Sequence, residues 1–327
     1  MKILTCNPNG SAYSYILAGI SKAFALAGND VSCVKSNVVP CDFDLYIGCS
    51  GWRQQIPPKE KRRGKVGIHV NPYGDTKVGH YDGGPIIDES REAIKWVLNQ
   101  QPDFVYGYCP KAFIDEYYGY WTTKHGIPVV AMPNAADITV YYPHKPDDKF
   151  KCEIGWVGGR WLYKAKMLDK YLTPLVTTKK CLIYGWGDTW KNKKVISDND
   201  VPALFASAKI CPSVSESHSV HHPVDIPERV FKIPASGGFT IHTPSPAIYN
   251  LFGDVIPMAT DPHHWKQLVD YYLLHETARV ELALKQRQLI YQKHTYFDRC
   301  KGIAEILNDP AMIENLEKAK SKIIQSF

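Results

Sequence analysis

The 327-residue chain has no apolar run approaching the roughly 20 residues that a membrane-spanning helix needs. Lys2 leads directly into a strand-like Ile-Leu-Thr-Cys, which is not the pattern of a signal peptide. These two absences predict a protein without a membrane span that works in the cytosol, and in a host's cytoplasm if it is phage-encoded. The nine cysteines, at 6, 33, 41, 49, 109, 152, 181, 211 and 300, include no CxxC pair and no regular spacing. That disfavours a disulfide scaffold, and most of these thiols are expected as small core residues in a reducing compartment. No GxGxxG follows the opening strand of either half, so the dinucleotide fingerprint of a Rossmann-type reductase is missing. A net charge of +6 permits a polyanionic partner without requiring one. Internal repeats and low-complexity tracts are absent as well.

What is present is ample material for burial. An apolar content of 44% with 12% aromatics marks a globular chain, and its length suits two domains. Residues 2–6 read as a buried strand. Tyr15, Ile16, Gly19, Ile20, Ala23, Phe24 and Ala27 then follow helical spacing up to Gly28-Asn29, and a second strand covers 31–34. A βαβ opening of this kind predicts a parallel sheet. Strands are expected at 43–47 and 65–70, each ending in a loop of Gly, Ser, Asn or Pro, with His69 at the carboxyl edge where open α/β sheets place ligands. Further along, helices at 89–99 and 112–120 alternate with strands at 104–106 and 129–131. The Pro-rich polar stretch 133–148 reads as a linker. A second α/β series follows, with strands at 153–157, 181–184, around Ile210 and at 239–241, a helix at 162–172, and amphipathic helices at 265–275, 278–291 and 300–307.

Residues 207–243 are the stretch the rest of the chain serves. An apolar strand ending in Pro212-Ser213 leads through a polar loop to Pro227-Glu228-Arg229 and a helix. Helix N–H groups and a guanidinium that converge on one point make an anion site, here read as the seat of a nucleoside diphosphate. An ordinary αβ connection is the plainer alternative.

The order of motifs resembles GT-B glycosyltransferases of the retaining family-four type and the CgeB-like enzymes. Pro133-Asn134-Ala135-Ala136-Asp137 with Tyr142-Pro143 is similar to their interdomain linker. Val157-Gly158-Gly159-Arg160, with Lys164 and Lys166 on the next turn, resembles their VGR…K segment, and Pro212-Ser213-Val214-Ser215-Glu216 their P-S-x-x-E. Arg229 to Gly238 and the late His294-Thr295-Tyr296…Arg299 resemble the CgeB-like R-x-F-E-x-x-A-x-G-G and HTY…R patterns. The resemblance implies an α/β GT-B fold: two Rossmann-like domains facing a central cleft, with C-terminal helices. The expected parts are an acceptor-side domain over 1–143, a nucleotide-sugar domain over 144–290 and a helical segment over 291–327 that crosses back to the first domain.

The same resemblance implies transfer of a sugar, with retention, from a nucleotide sugar (a UDP-sugar foremost) to an acceptor hydroxyl, without a metal or other cofactor. Arg160 and Lys164 would hold the diphosphate and offset charge on the leaving group, Glu216 would take sugar hydroxyls, and His69 would sit beside the anomeric centre or serve as a structural histidine. Gly158, Gly159, Tyr184, Gly185, Ser213, His218, Glu228, Arg229 and Gly237 complete the expected donor site. The family's second Glu is replaced by Val224 and the CgeB-like Glu by Lys232, which leaves Glu228 as the available ribose partner. His218, His221, His222 and Asp225 do not form a known zinc spacing. On the acceptor side, the basic run Lys59-Glu60-Lys61-Arg62-Arg63-Gly64-Lys65 lies near Trp52, Arg53 and Tyr73. Trp52, Arg53, Arg62, Arg63 and Tyr73, with Asn9 and Ser11, are the candidate acceptor contacts. Cations beside aromatics suit a nucleic-acid backbone, and hydroxymethylated bases of phage-type DNA are one acceptor class. A solubilising loop explains the run equally well, and glycan or protein acceptors, or a catalytically silent binding module, are the competing readings.

Overall fold

The computed structural model describes residues 1–7, 12–70, 80–81, 84–85, 89–160, 162–185, 195–220 and 226–327. The chain divides into two compact units. Met1–Pro133 and Tyr296–Ser326 form the first, and Asn134–Thr295 with Phe327 the second. The first crossing therefore lies ahead of the position-143 boundary suggested by composition, and the chain re-enters the first unit at Tyr296.

The first unit is built on a parallel sheet of six strands: β1 (Lys2–Cys6), β2 (Asp30–Val34), β3 (Leu45–Cys49), β4 (Lys65–His69), β7 (Phe104–Gly107) and β8 (Val129–Ala131). Their order is β2-β1-β3-β4-β7-β8. The sequence explains the order. Leu45 to Cys49 and Phe104 to Gly107 are buried at every position, as strands covered on both faces must be, whereas β2 is largely exposed and takes an edge. A short antiparallel pair, β5 (His80–Tyr81) and β6 (Gly84–Pro85), lies outside this sheet. Helices α1 (Ala12–Leu26), α2 (Glu89–Asn99) and α3 (Ile114–His125) are the connections. From α1, Ile16, Leu17, Ile20, Ala23 and Phe24 are buried, the face that the i, i+3, i+4 spacing anticipates.

The second unit holds a parallel three-stranded sheet, β10 (Cys181–Tyr184), β9 (Cys152–Val157) and β11 (Ala208–Ile210), in the order β10-β9-β11. Isolated parallel bridges extend it from Ser213 to His242 and from His242 to Met258. The expected strand at 239–241 is thus an extended segment beside residues 211–213, with Cys211 N–H donating to Phe239 O and Ser213 N–H to Ile241 O, both at 2.8 Å. Its neighbour β11 stops at Ile210 because Pro212 has no N–H to offer toward β9. Helices α4 (Leu162–Tyr171), α5 (Thr173–Val176), α6 (Val201–Ser207), α7 (Arg229–Ala235), α8 (Pro246–Phe252), α9 (Pro262–Leu274) and α10 (Glu276–Lys293) complete this unit. Ile154, Trp156, Leu168, Ile210, Ile241 and Trp265 are at the centre of its core.

In both sheets the second strand pairs outside the first and the third pairs on its other side. That places a topological switch point between β1 and β3, and another between β9 and β11, which is where open α/β sheets bind ligands. All nine cysteines are free thiols; Cys33 and Cys41 are exposed, Cys181 is half-buried and the rest are buried.

After α10, the chain supplies α11 (Tyr296–Ile306) and α12 (Pro310–Ile324) to the first unit. A Cβ built on Gly19 of α1 would overlap the Tyr296 ring, so the absent side chain is what lets α11 approach α1. Gly19→Val is expected to cost about 2 kcal/mol through overpacking and to lower the urea midpoint without changing the slope of the transition.

Candidate functional site

The switch point of the second unit gathers charge. β9 ends in Trp156-Val157 and runs into Gly158-Gly159-Arg160, while the chain after β11 runs through Ser213 and Ser215 to Glu216. Gly158 donates its N–H to Tyr184 O at 3.0 Å, which ties the ends of β9 and β10 together. A Cβ at Gly158 would strike the Arg229 guanidinium, so only glycine admits that cation here. Arg229 opens α7, and its Cζ lies 3.9 Å from the centroid of the Trp156 ring, a close cation–π contact. Its Nη1 is buried and has no hydrogen-bond partner among the described residues. Burial pulls the guanidinium down to about 10, with the Glu216 carboxylate acting against that shift. Also without described partners are the buried Trp156 Nε1 and Ser213 Oγ.

Two further groups stand at this point. Lys164 on α4 is only 4% exposed, and His242 is fully buried. Burial, chiefly, holds His242 down to about 4. The Thr243 carbonyl opposes that shift, whereas the positive charges of Arg229 and Lys164 add to it. His242 is therefore neutral at physiological pH.

Several expected donor residues are placed differently. Arg160 forms a 2.6 Å ion pair with Asp169, nine positions on, so its charge is already matched by a helix neighbour. Glu228 is paired with Lys232 at 2.9 Å, with both side chains mostly buried. Burial lowers the Lys232 ammonium, but Glu228 and Tyr141 outweigh it and push the group up to about 12. Glu228 is thus committed to its neighbour one helical turn on. Gly237 is exposed with φ +91° in the turn that ends α7, so it is a helix-stop glycine rather than a donor contact. Gly159 is buried, Tyr184 and Gly185 adjoin Gly158, and Lys166 is exposed. The His218 side chain, and His221, His222, Val224 and Asp225, lie outside the described residues. Trp156 and His242 are site neighbours that the sequence reading passed over. Both sit in apolar strand-like runs, and the only signal was a bulky aromatic immediately before Val-Gly-Gly.

In the first unit His69 ends β4, opposite Cys49 on one side and Tyr106 on the other. It is 2% exposed, its ring stacks on Tyr108 at 4.1 Å, and its Nδ1 lies 3.7 Å from Cys49 Sγ. The basic run is not a bare patch. Arg62, with a side chain 1% exposed, donates to the carbonyls of Pro57, Gln100 and Gln101 and lies 3.7 Å from Asp103. A buried guanidinium committed to three carbonyls is a structural clasp, which removes Arg62 from the acceptor set. Arg63 pairs with Asp44 at 2.5 Å, Lys65 with Asp103 at 3.2 Å, and Arg53 lies 3.7 Å from Glu92. Trp52 is half-buried in a turn closed on Cys49, while Asn9, Ser11 and Tyr73 lie outside the described residues. Among the described residues no three His, Cys, Asp or Glu side chains are grouped to hold a metal.

Residues 161–307 match the family model described as glycosyl transferase-like. The structure is similar along nearly its whole length to sucrose-phosphate synthase from Thermosynechococcus elongatus, with a TM-score of 0.65, 10% identity and coverage of 94% of this chain and 98% of that one. The T4 phage β-glucosyltransferase, described as a DNA modifying enzyme and solved with uridine diphosphoglucose, gives a TM-score of 0.58 at 12% identity, covering 98% and 99%. An α1,3-fucosyltransferase solved with GDP gives 0.52 at 10% identity, covering 95% and 92%. No curated protein matches by sequence. The chain has the GT-B fold, and part of its second unit matches a glycosyl transferase-like family model. Within this GT-B fold the family match covers the residues that build the switch point of the second unit from Lys164 onward, His242 included.

The Arg62 assignment is open to measurement. Arg62→Ala is expected to cost about 3 kcal/mol in urea unfolding by leaving buried carbonyls unpaired, and to leave the affinity for UDP unchanged.

Proposed function

We propose that this protein is a glycosyltransferase that takes its sugar from a nucleoside-diphosphate sugar, a UDP-sugar foremost, with the pyrophosphate seated on Arg229 and Lys164. The observation that carries this is the buried Arg229 guanidinium whose Nη1 has no described partner. A cation held away from water without a full set of acceptors is costly, and an anionic ligand offsets that cost. The pyrophosphate supplies both the charge and the acceptor oxygens. Arg229 thereby takes the role the motif pattern suggests for Arg160, which is occupied by Asp169. Uridine diphosphoglucose and GDP in the structurally similar enzymes are of the same chemical class.

In the proposed reaction the bond between the sugar's anomeric carbon and the phosphate oxygen breaks, and the acceptor oxygen bonds to that carbon. The acceptor's proton passes to the departing phosphate. Negative charge accumulates on the leaving diphosphate as the bond breaks, and fixed cations in a site shielded from water stabilise it more in the transition state than in the ground state. Glu216, beside Arg229, accepts hydrogen bonds from sugar hydroxyls, which a carboxylate does well because it offers several lone pairs. Transfer in this proposal proceeds with retention, the acceptor attacking from the face of the leaving phosphate that takes its proton, and without a metal. For the acceptor we propose a hydroxymethylated DNA base. The support is the likeness to the DNA modifying β-glucosyltransferase rather than the basic run, whose charges are largely matched by Asp42, Asp44 and Asp103.

A thermal-shift series with UDP, GDP and their sugars tests the donor. Ligand at a hundred times its dissociation constant stabilises by about 2.7 kcal/mol, and Arg229→Met is expected to abolish that gain. An undiminished gain in the variant would remove the pyrophosphate from Arg229. The acceptor and the stereochemistry are tested together by incubating UDP-glucose with hydroxymethylated duplex DNA in EDTA and assigning the product's anomeric proton by NMR. A retained configuration with metal chelated is expected. An inverted product refutes retention, while a product formed only on glycan or protein moves the acceptor away from DNA.

A further inference from the structure

His242 takes part in none of the chemistry described above, yet it occupies the point where the loops of the switch point meet. Its own N–H donates to Pro257 O at 2.9 Å and its carbonyl accepts from Ala259 N–H at 3.0 Å, so its backbone is pinned to the edge of the sheet. The side chain faces inward. Nδ1 lies 2.5 Å from Thr243 O, which can only accept, so Nδ1 carries the proton. Nε2 is then a lone-pair acceptor, and Ser215 Oγ stands 3.4 Å from it. Ser215 is held a second time, through its N–H to Thr243 Oγ1 at 3.0 Å, and Ser213, two residues earlier, bridges to His242. Glu216 follows Ser215 directly.

We propose that His242 is a positioning residue of the donor site: its neutral, Nδ1-protonated imidazole holds Ser215 and so fixes the loop carrying Glu216 against Arg229. This rests on the donor reading given above. The tautomer sets the direction of the contact, with the Ser215 hydroxyl donating to Nε2. A second proton on Nε2 would turn an acceptor into a donor facing the Ser215 hydroxyl, and would place a third positive charge beside Arg229 of α7 and Lys164 of α4. The facing groups from the remaining segments, Ser215 and Thr243, are neutral, and Glu216 is the carboxylate that acts on Arg229. Burial and the two cations both disfavour that second proton, so the loop keeps its acceptor.

The test has two parts. Long-range proton–nitrogen NMR of the wild-type protein, with His242 assigned by comparison with His242→Gln, is expected to show Nδ1 protonated and Nε2 bare at pH 7. The reverse tautomer, or a doubly protonated ring, overturns the proposal without reference to any variant's folding. Calorimetric titration with inorganic pyrophosphate then compares wild type, His242→Phe, His242→Gln and Arg229→Met. His242→Phe keeps the ring volume but not the hydrogen bonds, and is expected to weaken binding about fivefold. His242→Gln, which can place an amide oxygen where Nε2 was, is expected to restore most of that loss, a recovery that ring packing alone would not produce. Wild-type affinity in His242→Phe, or no rescue by Gln, refutes the positioning role. Wild-type affinity in Arg229→Met refutes the donor reading itself, and the two failures are therefore distinguishable.

Discussion

The second unit is organised around one contact, the Arg229 guanidinium over the Trp156 ring. Arginine suits that place because its planar, delocalised charge is weakly hydrated and tolerates an aromatic face, whereas an ammonium would demand its water. Several features of the local sequence follow from it. Gly158 has no side chain because any Cβ would collide with the guanidinium, and Gly185 has none because any Cβ would collide with the Gly158 carbonyl. Two loops at adjacent strand ends are therefore shaped by a cation on a third element. Glu216 opposes the loss of charge that burial would otherwise bring, so the site retains a positive group in a place that favours neutral ones.

Much of the architecture was legible because it rests on local patterns. The strand periods, the helix at Glu89–Asn99 and the strands Val129–Ala131 and Cys181–Tyr184 follow from hydrophobic spacing and turn residues, which act within a few positions. The segment at 239–241 was read as a strand on composition; in the fold it is an extended segment that accepts from Cys211 and Ser213 N–H, while Pro212 ends β11 on the side that faces β9. The path of the C-terminal helices into the first unit depends on Gly19 meeting Tyr296, a contact between residues far apart in sequence that no periodicity encodes.

The site was legible in its ingredients and not in its pairing. Motif order picked out Gly158, Lys164, Glu216 and Arg229, and all four belong to the switch point of the second unit. It also assigned the diphosphate to Arg160, because a cation after Gly-Gly looks well placed. What the string does not show is which carboxylate lies near each cation, and in the fold Arg160 is paired with Asp169, nine positions on. The same blindness applies to the basic run at 59–65. Read as a string it is a patch of cations. In the fold, Asp42 and Asp44 reach it from the start of β3 and Asp103 from the start of β7, and Arg62 turns inward altogether.

Charge matching also separates the two units in kind. In the first, the described cations near the expected acceptor contacts are met by carboxylates, and the group left at the carboxyl edge is a buried histidine among tyrosines. Such an edge offers shape and stacking. In the second, burial, an aromatic face and two glycines hold a guanidinium whose Nη1 has no partner among the described residues. Arg229 is thus buried beside a single described carboxylate, Glu216. A guanidinium held this way gains most from a ligand that brings both negative charge and acceptor oxygens, because burial makes an incompletely paired cation costly.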